Sequence, residues 1–306
     1  MIATPTTLVL GAGTSMGYGF PSGEKLKGDI CELFGDEANE ANQRLSQGND
    51  HLFHPRDFAD FANALRQSGL LSVDAFIERN PRYEGTGAMA IAHCLITYED
   101  HERLFPKRGT DNLYQYIFQC LGADFPTFLD NRLSFITFNY DRSLEHYLYT
   151  ALEYSNIGMN GVQLQQTLTR VMSGLKIVHV YGNIAPLPWQ PGDPKRRYDT
   201  ANDYGNTCMA AGYLRVMNSK RKGGQEIEVA RNFLGDAERV CFLGFGYHKE
   251  NIDLLGTEGN PWGRELYGTS LGLPVTEVER MESSLPGIQH APMDALSFLR
   301  EHRILV

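Results

Sequence analysis

The sequence predicts an α/β fold, in which a Rossmann-like parallel sheet carries helices on both faces and a large helical insertion. Two observations lead to this fold class. Short, mostly apolar runs of strand length alternate with segments whose apolar residues are spaced three to four apart, as on one face of a helix. Glycine-rich segments directly follow the first run and a later one, as expected where a buried strand turns into a loop.

Strands are expected at five mostly apolar runs, and continuous runs of this kind are typical of a parallel sheet buried on both faces. A helical pattern at 223–236 precedes the fourth run, and the tail is expected to end in a short strand and a helix at 293–301. The five runs lie at residues 7–10, 133–138, 175–180, 239–243 and 273–278.

The interval 24–130 is mostly helical in pattern and is interpreted as an insertion into an α/β domain formed by residues 1–23 and 131–306. An insertion at this point would lie beside the crevice at the carboxyl ends of the strands, as a lid or as an assembly surface. Its aromatic residues Phe58, Phe61 and Phe76 are predicted to be core. The expected helices lie at 25–34, 57–67, 73–80, 89–102 and 113–121.

Composition and charge narrow the function classes. Of the 306 residues, 42% are hydrophobic and 21% charged, which is typical of a globular chain with a sizeable core. The formal net charge of −9 disfavours direct nucleic-acid binding, because phosphate contacts need a basic field. The basic stretches at 194–197 and 219–222 are interpreted as solvated loops.

The chain shows neither a secretory leader pattern nor an apolar run approaching the roughly 20 residues of a membrane span, so we expect a cytoplasmic protein without membrane contact. Its cysteines are expected to be free thiols in a reducing compartment. They form no Cys-x-x-Cys pair, so neither zinc nor another metal is expected. The five are Cys31, Cys94, Cys120, Cys208 and Cys241.

The first glycine-rich segment follows the apolar run 7–10. Its glycines would let backbone N–H groups approach a pyrophosphate, and its two hydroxyls add donors, which favours a dinucleotide. The alternative is a tight turn without a ligand. The third glycine is misplaced for the dehydrogenase pattern, and no acidic residue follows a second strand, so a nicotinamide-dependent oxidoreductase is disfavoured. The segment comprises Gly11, Ala12, Gly13, Thr14 and Ser15, with Gly19 and Pro21 further on.

A second motif, Thr-Phe-Asn-Tyr-Asp, ends the run at 133–138. Asn139 and Asp141 lie two residues apart and would share one face of an extended segment. An amide and a carboxylate at this place can hydrogen-bond a carboxamide and a sugar hydroxyl, which suits chemistry at a glycosidic carbon. The alternative is a turn-forming pair that caps a helix beginning near Ser143.

Together, Gly-Ala-Gly-x-Ser-x-x-x-Gly-x-Pro at 11–21 and Thr-x-Asn-x-Asp at 137–141 resemble the NAD-binding core of the sirtuin (silent information regulator type) family. The segment 176–184 looks like the family's strand ending in His-Gly, and 240–247 looks like its later strand and glycine loop. The similarity is closest to a divergent bacterial branch, the NAD hydrolases of antiphage defence that lack the zinc module.

This resemblance implies an NAD hydrolase that cleaves NAD, its substrate, to nicotinamide and ADP-ribose. It makes Asn139 and His179 the expected catalytic residues: Asn139 would orient the ribose hydroxyls and the attacking water, and His179 would act as the base. Asp141 would hold the carboxamide and stabilise developing positive charge. The residues expected to bind the dinucleotide are Gly11, Ala12, Gly13, Thr14, Ser15, Gly19, Pro21, Asp141, Tyr181, Gly182, Gly244, Phe245 and Gly246.

The chain departs from the family in two respects. Tyr181 stands before Gly182 where the catalytic histidine is expected, and His179 lies two residues earlier, on the same face of a strand and about 7 Å away. His179 could instead be a core histidine, and Tyr181 or His248 could assist. The zinc module is absent and the family's Phe-Arg pair is replaced by Gly23-Glu24, which disfavours a deacylase.

Two other functions stay open. The domain could bind NAD or ADP-ribose without turnover, as a sensor or assembly subunit, or it could transfer ADP-ribose to a protein side chain. Effectors of the similar branch are held silent by oligomerisation or by a partner. The resemblance therefore implies a homo-oligomer, with a hexameric HerA-type ATPase as a candidate partner.

Overall fold

A parallel sheet forms the centre of the computed structural model, which describes residues 1–46, 52–108, 111–215, 224–261 and 263–306. Within these residues six strands form one sheet in the order β3-β2-β1-β4-β5-β6, and every neighbouring pair is parallel. This confirms the predicted α/β fold. The strands are β1 Thr6–Leu10, β2 Leu133–Thr137, β3 Lys176–His179, β4 Arg239–Leu243, β5 Glu265–Thr269 and β6 Gln289–Ala291.

The central strand β1 sets the geometry of the sheet edge at which the carboxyl ends of the strands lie. Leu10, its last residue, pairs with Thr137 at the end of β2 and with Leu243 at the end of β4. All residues of β1 and β2 are buried, which explains their continuous apolar character. The loops that follow these three strands therefore begin side by side at one edge of the sheet.

Helices account for most of the remaining described chain. Two short 3₁₀ turns, Ala12–Thr14 and Met16–Tyr18, follow β1, and a third lies at Pro81–Tyr83. The α-helices are α1 Gly23–Phe34, α2 Glu40–Ser46, α3 Pro55–Gln67, α4 Val73–Arg79, α5 Glu84–Ile96, α6 His101–Leu104, α7 Leu113–Leu121, α8 Phe125–Phe128, α9 Ser143–Ser155, α10 Gly161–Gly174, α11 Tyr204–Tyr213, α12 Gln225–Asp236, α13 Lys249–Leu255, α14 Val275–Ser284 and α15 Ala295–Glu301. None of them combines the length and apolar character that a membrane crossing requires.

Helices α1 to α8 lie between β1 and β2 along the chain, as the helical pattern of this interval predicted. Phe58, Phe61 and Phe76 are buried, which confirms their assignment to the core. The single helix predicted at 89–102 is wrong in extent: α5 ends at Ile96, and α6 starts anew after Asp100. The Asp100 carboxylate accepts hydrogen bonds from the amides of Glu102 and Arg103 and so caps the new helix.

Near the carboxyl terminus the predicted strand at 273–278 is wrong, because Pro274 caps α14 there. The fifth strand is β5 instead. Its residue Gly268 lies against Tyr247, since a Cβ at this position would overlap the Tyr247 hydroxyl. β5 is held in place by its pairing with β4 and β6 and by this close contact with Tyr247. Its own residues therefore do not show the continuous apolar run of a central buried strand.

The basic stretch at 194–197 is not wholly solvated, contrary to its interpretation as an exposed loop. Arg196 is only 1% exposed. Its Nη2 lies 2.7 Å from Oε2 of Glu99, and Nη2 of Arg142 lies 2.6 Å from Oε1 of the same carboxylate. Arg142 also donates to the carbonyl of Ala185 at 2.8 Å. The other basic stretch, 219–222, lies outside the described residues.

The three side chains Glu99, Arg142 and Arg196 form what we call the buried ionic cluster. It joins the insertion, the start of α9 and the loop after β3. Two guanidinium groups removed from water need compensating contacts, and here both pair with the one Glu99 carboxylate while main-chain carbonyls accept their other N–H donors. The cluster thus links the insertion firmly to the residue that follows Asp141.

We expect Glu99→Gln to lower the free energy of unfolding by about 3–5 kcal/mol, because two buried guanidinium groups would then face a neutral amide. Urea unfolding at neutral pH measures this loss. The matched control is Glu40→Gln, which removes the exposed partner of Arg44 and should change the free energy by less than about 1 kcal/mol. Equal stability of the two variants would contradict the structural role of the cluster.

Candidate functional site

The glycine-rich loop after β1 packs directly against the loop after β4. The Gly13 amide donates to the Gly244 carbonyl at 3.0 Å. A Cβ at Gly11 would overlap the Gly244 carbonyl oxygen, and a Cβ at Gly13 would lie 2.7 Å from the Gly244 Cα. Contact between two backbones therefore requires glycine at these positions, whether or not a ligand binds.

The amides of the first loop are largely engaged within the protein. Thr14 N–H donates to the Gly11 carbonyl and Ser15 N–H to the Ala12 carbonyl, each at 3.0 Å. Together with the Gly13 bond, these contacts fold the loop into its first 3₁₀ turn. A pyrophosphate at this loop would have to use other donors, or displace these bonds.

Asn139 is held by the first loop. Its Nδ2 donates to the Gly11 carbonyl and to Oγ of Ser15, both at 3.0 Å, and lies 3.3 Å from Oγ1 of Thr14. Within the described ranges its Oδ1 accepts no hydrogen bond, so this oxygen is left as an acceptor. The structure thus brings Asn139 together with the loop that was predicted to bind the same ligand.

Asp141 is buried at the end of the second motif. Its Oδ1 accepts hydrogen bonds from the Ser143 amide at 3.1 Å and from the Ser143 hydroxyl. Burial raises the pKa of Asp141. These contacts of Asp141 are those of the turn-forming alternative at the start of α9, whereas Asn139 supplies the bonds from the motif to the first loop.

His179 contacts Asn139 directly. Its Nδ1 lies 2.8 Å from the Asn139 main-chain oxygen, and its Nε2 lies 2.6 Å from Oε1 of Glu145 on α9. Burial by itself would lower the pKa of His179, but the adjoining carboxylate outweighs it and the net shift is upward. Both ring nitrogens face acceptors, so the paired ring carries a proton on each nitrogen, and His179 can act as a base only after it has lost one of these protons.

Tyr181 belongs to an aromatic layer at the same edge. Its ring meets that of Phe138 edge-on at 5.4 Å, and Phe138 meets Phe245 at 5.1 Å. The Tyr181 hydroxyl donates to Oδ1 of Asn251 at 2.5 Å. Burial raises the pKa of Tyr181 well above its usual value, which suits a hydrogen-bonding group better than a base.

The remaining predicted glycines serve close contacts. Gly182 has φ +71°, and a Cβ there would overlap the Tyr213 carbonyl oxygen. A Cβ at Gly246 would lie 3.0 Å from Nε2 of His248, which is exposed at the start of α13. Pro21 is buried just before α1.

Two residues of this edge were not indicated by the sequence. Glu145 pairs with His179 from the first turn of α9, and Asp74 on α4 accepts a hydrogen bond from the Tyr140 hydroxyl in the middle of the second motif. Burial raises the pKa of Asp74. The insertion therefore reaches the motif itself, which no local pattern in either segment could signal.

Among the described residues there is no group of three or more His, Cys, Asp or Glu side chains that could hold a metal ion. A comparison with protein-family models finds no matching model, and a comparison with curated proteins finds no match. The fold and the site define an α/β protein with a candidate ligand site at the carboxyl edge of its parallel sheet.

We expect Gly244→Ala to lower the free energy of unfolding by about 2–4 kcal/mol, because φ here is +54° and the new Cβ would lie 2.6 Å from the Thr14 amide nitrogen. Thermal and urea unfolding measure the change. As a control, Gly28→Ala on the exposed side of α1 meets no atom within 4 Å and should raise stability by about 0.5–1 kcal/mol. A Gly244→Ala protein as stable as the parent would refute the loop contact.

We expect Glu145→Gln to lower the pKa of His179 below 6.5, because burial then acts without the opposing carboxylate. In the parent the raised pKa adds stability that is fully present below about pH 6.5 and is lost as the pH rises through the folded-state pKa. Imidazole NMR titration measures the shift.

The control for this titration is Glu282→Gln, which removes the exposed carboxylate next to His290 and should leave the His179 titration unchanged. An unaltered His179 titration in Glu145→Gln would show that the two side chains do not interact in solution.

Proposed function

We propose that the protein is a sirtuin-like NAD hydrolase, which converts NAD and water to nicotinamide, ADP-ribose and a proton. One observation carries the proposal. The His179 ring contacts the main-chain oxygen of Asn139 at the carboxyl edge of the sheet, and the Asn139 side chain is bonded to the first loop, so the two residues that the motifs single out as catalytic lie together. This edge is where ligands of open α/β sheets bind.

The geometry suits a reaction that needs positioning more than a strong nucleophile. The nicotinamide of NAD leaves as a neutral molecule from a cationic precursor, and the ribose passes through an oxocarbenium-like state. The Asn139 Nδ2 is fixed by the first loop, and its Oδ1 is left to accept a hydrogen bond from the attacking water or a ribose hydroxyl. Asp141 adds a carboxylate near the same loop.

His179 acts first as a positioning residue in this proposal. Paired with Glu145, it holds the Asn139 carbonyl and so fixes the backbone of the second motif. It becomes a base only when one ring nitrogen gives up its proton and is released from its partner. His248 is the alternative base, because it is exposed beside Gly246.

The wider proposal follows the motif resemblance. The protein would act in the cytoplasm as an antiphage-defence effector that depletes NAD, without zinc and without binding nucleic acid directly. It would be a homo-oligomer, and a HerA-type hexameric ATPase is the candidate partner. The alternative is a sensor or assembly subunit that binds NAD or ADP-ribose without cleaving it, which the engaged ring nitrogens of His179 favour.

We expect the purified protein to release nicotinamide from NAD, and Asn139→Ala and His179→Ala each to lower kcat by at least about 100-fold, because both remove a positioned group from the transition state. Chromatography of the products measures release and also detects ADP-ribose attached to protein.

The matched control is Asn206→Ala on α11, a half-buried amide with local contacts to Ala201 and Asp203, which should leave kcat within about twofold. Calorimetric titration with NAD and ADP-ribose runs in parallel. Binding without nicotinamide release, alone and with the partner ATPase, would reject the hydrolase and support the sensor. Labelled protein in place of free ADP-ribose would support transfer.

A further inference from the structure

The insertion places a guanidinium group against the first loop. Arg103 lies on α6, and a Cβ at Gly19 would overlap its Nη1. Gly19 ends the second 3₁₀ turn with φ +91°, a backbone conformation that favours glycine. The absence of a side chain there leaves room for the guanidinium. The arginine side chain is about half exposed, at 53%, so it can reach a ligand from solvent.

The orientation of this guanidinium is set by the insertion itself. Nε of Arg103 lies 3.1 Å from Oδ2 of Asp100, the residue that caps α6. One edge of the planar group is thus occupied, and Nη1 is directed to the loop. A guanidinium held in this way has less freedom left to lose on binding than a solvated one, and it presents the N–H donors of Nη1 and Nη2 in a fixed fork.

An anionic ligand at this loop needs such a cation. The amides of Gly13, Thr14 and Ser15 are used in internal bonds. Arg142 is buried on Glu99, away from solvent, whereas Arg103 places Nη1 against Gly19 although its Nε is paired with Asp100. The ionisable groups next to the two motifs are mostly carboxyl groups, among them Asp74, Asp141 and Glu145.

We propose that Arg103 binds the pyrophosphate of the dinucleotide, so that the insertion supplies the phosphate-recognising part of the site. The inference rests on the proposed function. It assigns the insertion a direct role in substrate binding, and it predicts selectivity: ligands that carry the diphosphate depend on Arg103, whereas nicotinamide riboside, which has no phosphate, does not.

The test is calorimetric titration of the full chain with ADP-ribose and with nicotinamide riboside. We expect Arg103→Ala to weaken ADP-ribose binding about 10- to 100-fold and to reduce its salt dependence, with riboside binding unchanged. The ADP-ribose affinity of Arg103→Lys should lie between those of the parent and Arg103→Ala, because an ammonium group is a point charge and cannot bind in a bidentate manner. With NAD, Arg103→Ala should raise KM more than it lowers kcat.

The control is Lys107→Ala, which removes a positive charge of the same insertion from a side chain that is 85% exposed and paired with Glu102. It should leave ADP-ribose binding unchanged. Equal ADP-ribose affinity in Arg103→Ala and the parent would overturn the role of Arg103 while leaving the proposed function intact. A parent that binds neither NAD nor ADP-ribose would overturn both.

Discussion

The contact between the first loop and Gly244 is the constraint on which the rest of the site depends. β1 pairs in register with β2 and β4, so their last residues stand in a row. Two glycine-containing backbones then touch without side chains between them. This contact places the Gly11 carbonyl and Ser15 hydroxyl where Asn139 can bond them. A side chain at Gly11, Gly13 or Gly244 would separate the loops and with them the motif.

Buried charge links this edge to the surrounding helices. The pair of His179 with Glu145 contacts the Asn139 main-chain oxygen, and the buried ionic cluster of Glu99, Arg142 and Arg196 includes the residue that follows Asp141. Buried ionic groups contribute little net stability over apolar packing, but they penalise any arrangement that leaves one of them unpaired. They therefore fix the position of the insertion and of α9 relative to the second motif. An apolar contact is less directional and would allow several positions.

Much of the fold could be predicted from the sequence, and less of the site. The strands of the buried centre, near 7–10, 133–138 and 239–243, were predictable because burial on both faces forces continuous apolar residues. The predicted strand at 273–278 is wrong because its residues form the start of α14, while β5 is defined by its neighbours. Asn139 and His179 were chosen from motifs, and the structure places them in contact.

By itself, the sequence determined the spacing of apolar residues in each segment, and so whether it favours a helix or a strand, and the positions of the glycines. Apolar spacing and backbone freedom are local properties. Only the tertiary structure decided which side chains meet. It brings Glu145 into contact with His179, Asp74 with Tyr140 and Arg103 with Gly19. The partners are so far apart along the chain that no local sequence pattern indicates the contacts. The physical reason is that hydrogen bonds and charge pairs depend on distance in space, and the chain brings those residues together only when the sheet and the insertion pack.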